Sequence, residues 1–185
     1  VQPKLNEQEL YTEAVALYDQ YVDAGNGKSS TISGSSDLFY KGMWMPGLLP
    51  SLDAQATGWD HDWNTQSVST QNANVKNSYD TALGIIDCAN ALLVDLDYSG
   101  ITTLTVLEGE ARAMRDFIYM YLVENWGNVP LPGNQTCGSD IEVLDFIIAD
   151  LTKAAALLNW QPRDGQYGRF TKGMALSYLG EAYLW

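Results

Sequence analysis

The chain is poor in cations. Ten Lys and Arg stand against 23 Asp and Glu in 185 residues, a formal net charge of -13. Lys76, Lys153, Arg163, Arg169 and Lys172 are scattered along it. A phosphate backbone or an anionic bilayer needs a basic footprint, so neither nucleic acid nor an anionic membrane surface is expected as a partner. No apolar run reaches the roughly 18 residues that a membrane span takes. His61 is the single histidine, and no Ser or Cys partner signature accompanies it, so triad chemistry has no support. Cys88 and Cys137 are the two cysteines, one in a helical pattern and one in a loop. A pair in a domain this size is more often free than bridged, and it does not settle the redox compartment. No signal peptide opens the chain at Val1, and a mature start has the same look.

The rest of the composition suits a folded domain. At 46% hydrophobic and 18% charged residues the chain can bury a sizeable core. Five segments carry a helical period. The first, Glu7–Ala24, has an Asn6/Glu9 capping pair and puts Leu10, Tyr11, Ala14, Val15, Leu17, Tyr18, Tyr21 and Val22 on one face. The second, Ala73–Asp95, repeats Tyr79, Leu83, Ile86, Asn90 and Leu93 at spacings of three and four.

The third, Thr105–Trp126, has capping-box spacing at Thr105/Glu108 and i,i+4 pairs Glu108–Arg112 and Arg112–Asp116. Its second half, FIYMYLV, is apolar all round and must be covered on every side. The fourth, Ile141–Leu158, has a Ser139/Glu142 capping box and a stripe of Ile141, Leu144, Ile148, Leu151, Ala155 and Leu158. The fifth starts after Thr171, an N-cap, with Phe170 placed to staple against Ala175. Its Leu176, Leu179, Gly180 and Tyr183 match half of a tetratricopeptide (TPR) helix, in which the glycine allows close helix approach. The fold class expected is all-α, a TPR-like helical-repeat scaffold with long loops. The fifth helix runs to Trp185 without a stop signal, which reads as an N-terminal portion of a longer protein, truncated at its C-terminus.

One stretch has no such period. LFYKGMWMPGLLPSLDAQATGWDHDWNTQS, Leu38 to Ser67, holds Trp44, Trp59 and Trp63. Large rings are costly to leave wet unless something covers them. Trp44 sits among Met43, Met45, Leu48 and Leu49 and is expected to be buried packing. Trp59, Asp62, Trp63 and Asn64 offer rings next to hydrogen-bonding groups, the residue types of a carbohydrate platform. The plainer reading is that these rings pack the loop onto the helices. Asp60, His61 and Asp62 make a poor metal cage because neighbouring side chains diverge. Glycosidase carboxylates stand about 5–10 Å apart, and one loop seldom supplies both. No catalytic residue, metal or cofactor is expected.

Four quoted stretches then read together: YDTALGIIDCANALL (Tyr79–Leu93), EARAMRDFIYMYLVENWGNVPL (Glu110–Leu131), VLDFIIADLTKAAALL (Val143–Leu158) and GRFTKGMALSYLGEAYLW (Gly168–Trp185). This series, in this order, resembles the SusD/RagB family of outer-membrane nutrient-binding lipoproteins. The Glu-Ala-Arg-x-x-Arg helix and its Gly-x-Val-Pro exit are the most specific part. The resemblance covers Ala73 to Trp185; residues 1–72 match in position and general character.

The resemblance implies that residues 1–185 are the N-terminal part of one SusD-like α-helical domain. It implies capture of an oligosaccharide or polysaccharide at the extracellular face of the outer membrane, a lipid anchor, and delivery to a SusC-type TonB-dependent transporter. It also places a binding loop where Trp59 and Trp63 lie. Arg112 and Arg115 read as structural, through helix ion pairs and helix-to-loop hydrogen bonds, and Asn90 as a partner of a neighbouring backbone or loop. A TPR-like protein-interaction scaffold without sugar binding is the alternative. Two solvent-facing rings favour sugar, and buried tryptophans beside an open helical groove favour a protein partner.

Overall fold

The computed structural model describes residues 4–26, 38–51, 53–55, 61–134 and 136–185. Among these the chain is all-α: α1 (Glu7–Asn26), α2 (Met45–Leu48), α3 (His61–Asn64), α4 (Ala73–Ser99), α5 (Thr105–Trp126), α6 (Asp140–Leu157) and α7 (Lys172–Ala182). A π-helical turn, Leu38–Trp44, leads into α2, and 3-10 turns lie at Leu49–Ser51 and Arg163–Gly165. Two two-residue strands, β1 (Val129–Pro130) and β2 (Cys137–Gly138), pair antiparallel after α5. Cys137 is thus in a strand where a loop was expected, and both cysteines are free thiols. No described helix is long and apolar enough to cross a membrane.

The chain divides into two compact units, one of residues 1–17 and 85–185 and the other of residues 18–84. In the first, α5 packs chiefly on α6, and α6 on α7. Its centre is the second half of α5. Ile118, Tyr119, Met120, Tyr121, Leu122 and Val123 are all buried, as an all-round apolar helix requires. Tyr119 stacks edge-on against Phe146 at 5.5 Å and donates its hydroxyl to the Pro130 carbonyl at 3.1 Å, which ties the Val-Pro exit to the core.

Helix ends follow local chemistry where polar side chains are placed for it. Asn6 and Glu9 exchange bonds at 2.7 and 3.1 Å. Ser139 and Glu142 close a full capping box, and Thr171 caps α7. The Thr105/Glu108 box does not form. The N-cap of α5 is Leu104, whose apolar side chain offers no acceptor, and Glu108 turns to the Arg112 guanidinium at 2.8 Å.

The buried faces differ from the stripes read in sequence. On α6 the core residues are Val143, Ile147, Leu151 and Ala154, while Ile141 is 67% exposed. On α4 they are Ala82, Ile85, Ile86, Ala89, Leu92 and Leu96, with Tyr79, Leu83 and Leu93 at the margin. On α1, Val15 and Val22 face solvent. Each helix has apolar residues over more than one face, and the neighbour that covers it selects among them.

The same holds for the glycines. Gly180 has open space where a Cβ would stand, so it mediates no close approach among the described residues. Gly109 does. A Cβ there would meet Leu158 Cγ at 2.8 Å and Leu157 Cβ at 3.1 Å, at the point where α5 crosses the end of α6. Gly→Ala in a helix gains about 1 kcal/mol from propensity, and overpacking a tight core costs about 1–3 kcal/mol. Gly109→Ala is therefore expected to lower the urea midpoint while Gly180→Ala raises it. Equal shifts in both variants contradict the close approach.

Charges are also buried between α5 and α6. Asp150 accepts from both Arg112 and Arg115, one guanidinium on each carboxylate oxygen. Arg115 also donates to Asn90 Oδ1 of α4 at 2.6 Å and lies over the Phe146 ring. So Asn90 serves a side chain rather than backbone, and the arginines bind helix to helix rather than helix to loop. Glu110, buried on another face of α5, pairs with Arg163 at 3.3 Å and Arg169 at 4.0 Å. Arg163 in turn covers the Tyr11 ring of α1.

Asp116 is fully buried and forms no ion pair with Arg112, which is engaged by Glu108 and Asp150. Its carboxyl lies beside that of Asp150, close enough to hydrogen-bond to it as the neutral acid. Burial first, and then the Asp150 carboxylate, hold its pKa well above the usual range, against the opposing pull of Arg115 and Arg112. A neutral Asp116 leaves two guanidinium groups, Arg112 and Arg115, facing two carboxylates, Asp150 and Glu108. An acid whose folded pKa is raised gives stability that is fully present below its unfolded value. That stability is lost as pH climbs through the folded one. Asp116→Asn cannot ionise, so it is expected to be more stable than wild type at pH 7, with the gap closing near pH 4. Urea melts at both pH values measure this, and a variant less stable at both would mean that Asp116 is ionised and holds the arginines.

Candidate functional site

The tryptophan segment belongs to the second unit. Its inner side is built first: Leu38, Met45 and Leu49 are buried in the π-helical turn, α2 and the 3-10 turn. The tight succession of these turns leaves Trp44 pointing outward, 50% exposed, where buried packing was expected. Phe39 meets Tyr21 edge-on at 4.9 Å.

Trp63, Asp62 and Asn64 lie in the single turn α3. It is closed by the Ser67 N–H on the Asp62 carbonyl at 3.0 Å and the Gln66 N–H on the Trp63 carbonyl at 3.3 Å. Gln66 adopts a left-handed φ of 54°, which ends the turn and directs its side chain to the Pro50 carbonyl at 2.9 Å. On the other side, the Asn72 side chain donates to Asp62 Oδ2 at 3.4 Å. Its own oxygen accepts from the backbone N–H of Asn74 and Val75, an N-cap of α4. The turn is thus tethered at both ends, to the 3-10 turn and to the start of a 27-residue helix.

Trp63 is half-buried. Its Nε1 is enclosed and has no hydrogen-bond partner, so the accessible part of the side chain is carbon surface. An orphan buried donor costs on the order of 1–3 kcal/mol, and such a group stands out in a folded protein. Asp62 is exposed and Asn64 half-buried. Consecutive helical residues point about 100° apart, so the three side chains fan around the ring rather than converge on one atom. That geometry suits contact with an extended, hydroxyl-rich ligand and not coordination of a single ion. Trp59 and Asp60, and the side chain of His61, lie outside the described residues. Pattern reading missed Trp44 as an exposed ring; its outward direction follows from the π-helical turn, which no local period announces.

A helical scaffold carrying a tethered tryptophan turn is the class of molecule so defined. The family described as "Starch-binding associating with outer membrane", a SusD-like family, matches residues 49–184. The chain belongs to it. The match begins well before Ala73 and so takes in the tryptophan turn itself. Among solved structures, a SusD-like carbohydrate-binding protein from Bacteroides fragilis is 28% identical over 68% of this chain and 27% of its own, with a TM-score of 0.62. Surface glycan-binding protein A from Bacteroides uniformis is 20% identical over 97% and 42%, with a TM-score of 0.77. The protein of the same name from Bacteroides thetaiotaomicron, solved in complex with laminarihexaose, is 16% identical over 96% and 38%, with a TM-score of 0.74. The chain therefore spans less than half the length of these structures. No curated protein matches it.

Proposed function

We propose that the full-length protein captures a glycan at the outer face of the outer membrane and delivers it to a SusC-type TonB-dependent transporter. In this reading it is held there by a lipid anchor and carries out no chemistry on its cargo. The observation that carries the reading is the tethered turn, in which the half-buried Trp63 offers carbon surface between Asp62 and Asn64. A sugar ring has an apolar C–H face and a rim of hydroxyls, so it uses both kinds of group at once. The exposed Trp44 of the same unit adds a second ring of that type. Trp59 is proposed as a further contact. The membership of the chain in a family described as starch-binding, and the laminarihexaose held by the B. thetaiotaomicron protein, support the same cargo class.

Affinity electrophoresis of the full-length protein through gels containing starch, laminarin and other neutral polysaccharides tests the capture step. Retardation in at least one gel is expected, and unchanged migration in all of them removes it. Recovery of a large β-barrel protein on pull-down from outer membranes tests the delivery step separately.

A further inference from the structure

A second feature of the chain has the form of a ligand site, and it lies wholly in the other unit. Where α4 ends and α5 begins, a cavity of about 360 Å³ opens to solvent. Its size falls in the lower part of the range for small-molecule pockets. Leu93, Leu96, Ile101 and Leu104 supply apolar walls; Leu96 and Leu104 are buried. Around them stand the Thr102 and Thr105 hydroxyls, the Asp97 and Glu108 carboxylates and the Arg112 guanidinium. Thr102, Thr105 and Asp97 are exposed. Glu108 and Arg112 are already joined at 2.8 Å, and Arg112 is also held by Asp150.

We infer that this cavity is an additional subsite for a neutral sugar ring, an inference that rests on the glycan-binding reading above. The chemistry selects the class. The polar rim is rich in acceptors and in hydroxyls that both give and take, which fits a ligand that presents several O–H donors. The leucine and isoleucine walls fit the C–H face of the ring. An acidic sugar is disfavoured, because the Asp97 and Glu108 carboxylates stand at the rim and Arg112 is taken by two carboxylates, while the Lys4 ammonium at the Gly100 edge is drawn over the Tyr98 ring, 5.3 Å from its centroid. A metal ion is disfavoured too. Glu108 is neutralised by Arg112, and no group of three or more His, Cys, Asp or Glu among the described residues could hold one. The volume suits one or two rings, so the cavity takes an end or a branch of the glycan rather than a long run of it.

The test uses the full-length protein, titrated calorimetrically with maltohexaose, laminarihexaose and hexagalacturonate. Thr102→Trp with Thr105→Trp fills the cavity mouth from two exposed positions. Asp97→Ala, a solvent-facing helix substitution, is the second variant should the first not fold. Either is expected to weaken the better-binding neutral hexasaccharide by about tenfold, roughly 1.4 kcal/mol, with an unchanged melting temperature. Hydrogen exchange in residues 93–112 is expected to slow on adding that sugar. Wild-type-like affinity in both variants, or slowing confined to residues 61–72, overturns the subsite while leaving glycan capture in place. Equal or tighter binding of hexagalacturonate in residues 93–112 overturns the neutral class. Failure of wild type to bind any of the three sugars, together with unretarded migration in every polysaccharide gel, overturns both readings.

Discussion

Asp150→Ala is expected to cost about 3–5 kcal/mol, the range for removing one partner of a buried ion pair. The size follows from what would be left behind. Asp150 is buried, with a side chain 5% exposed, and both of its oxygens are used, one by Arg112 and one by Arg115. Without it, Arg115, whose side chain is 7% exposed, keeps Asn90 as its polar partner across the helices, with the Phe146 ring beside it and the buried Asp116 on its own helix. Arg112 keeps Glu108. A loss of this size is a large share of the roughly 5–15 kcal/mol that holds a typical domain together. Urea unfolding followed by circular dichroism measures it. Asp150→Asn keeps the shape and one acceptor and should lose less. A loss under about 1 kcal/mol for Asp150→Ala would place the pair among weak, solvent-screened ones.

Trp63→Ala should weaken glycan binding by about ten- to a hundredfold, or roughly 1–3 kcal/mol, by analogy with the stacking of planar rings on aromatic side chains. Trp63 is half-buried, so some stability falls with it; binding is therefore measured well below the unfolding temperature of the variant. Trp63→Phe separates two contributions. It keeps a ring and removes the partnerless indole N–H. It is expected to retain most of the affinity if the ring face is the contact. Trp59→Ala, tested alongside, reports on the neighbouring proposed contact. Wild-type affinity in both alanine variants, or loss of binding only in step with loss of folding, makes the turn a packing element and moves the site elsewhere.

The two results bear on different parts of the same polypeptide. Asp150 acts within the helical scaffold of the first unit, and Trp63 within the second. The scaffold was legible early. The capping pairs at Asn6/Glu9 and Ser139/Glu142 and the all-apolar FIYMYLV run state their structures locally. A helix is made of contacts three and four residues apart, and those are written in the order of the residues. The series of quoted stretches carried the family for the same reason. It is a string of local signals in a given order, and the family match from residue 49 to residue 184 bears it out.

The candidate site was half legible. Residue types, rings beside polar groups in a stretch without period, drew attention to Trp59, Asp62, Trp63 and Asn64, and the family resemblance pointed to the same loop. The tethers of the turn to Pro50 and Asn72 did not show, nor did the exposure of Trp44.

What the order of residues determined by itself was therefore the five longer helices, most of their ends and the family. Tertiary structure alone decided which face of α6 is buried, Val143 and Ile147 rather than Ile141, and which glycine admits a close neighbour, Gly109 rather than Gly180. It also decided that Arg115 reaches Asn90 and Asp150, 25 and 35 residues away. These outcomes share a physical cause. A helix with apolar residues over more than one face has several acceptable burials. A buried guanidinium takes whatever acceptor packing brings within reach, and both choices depend on long-range neighbours that no periodicity of three or four encodes.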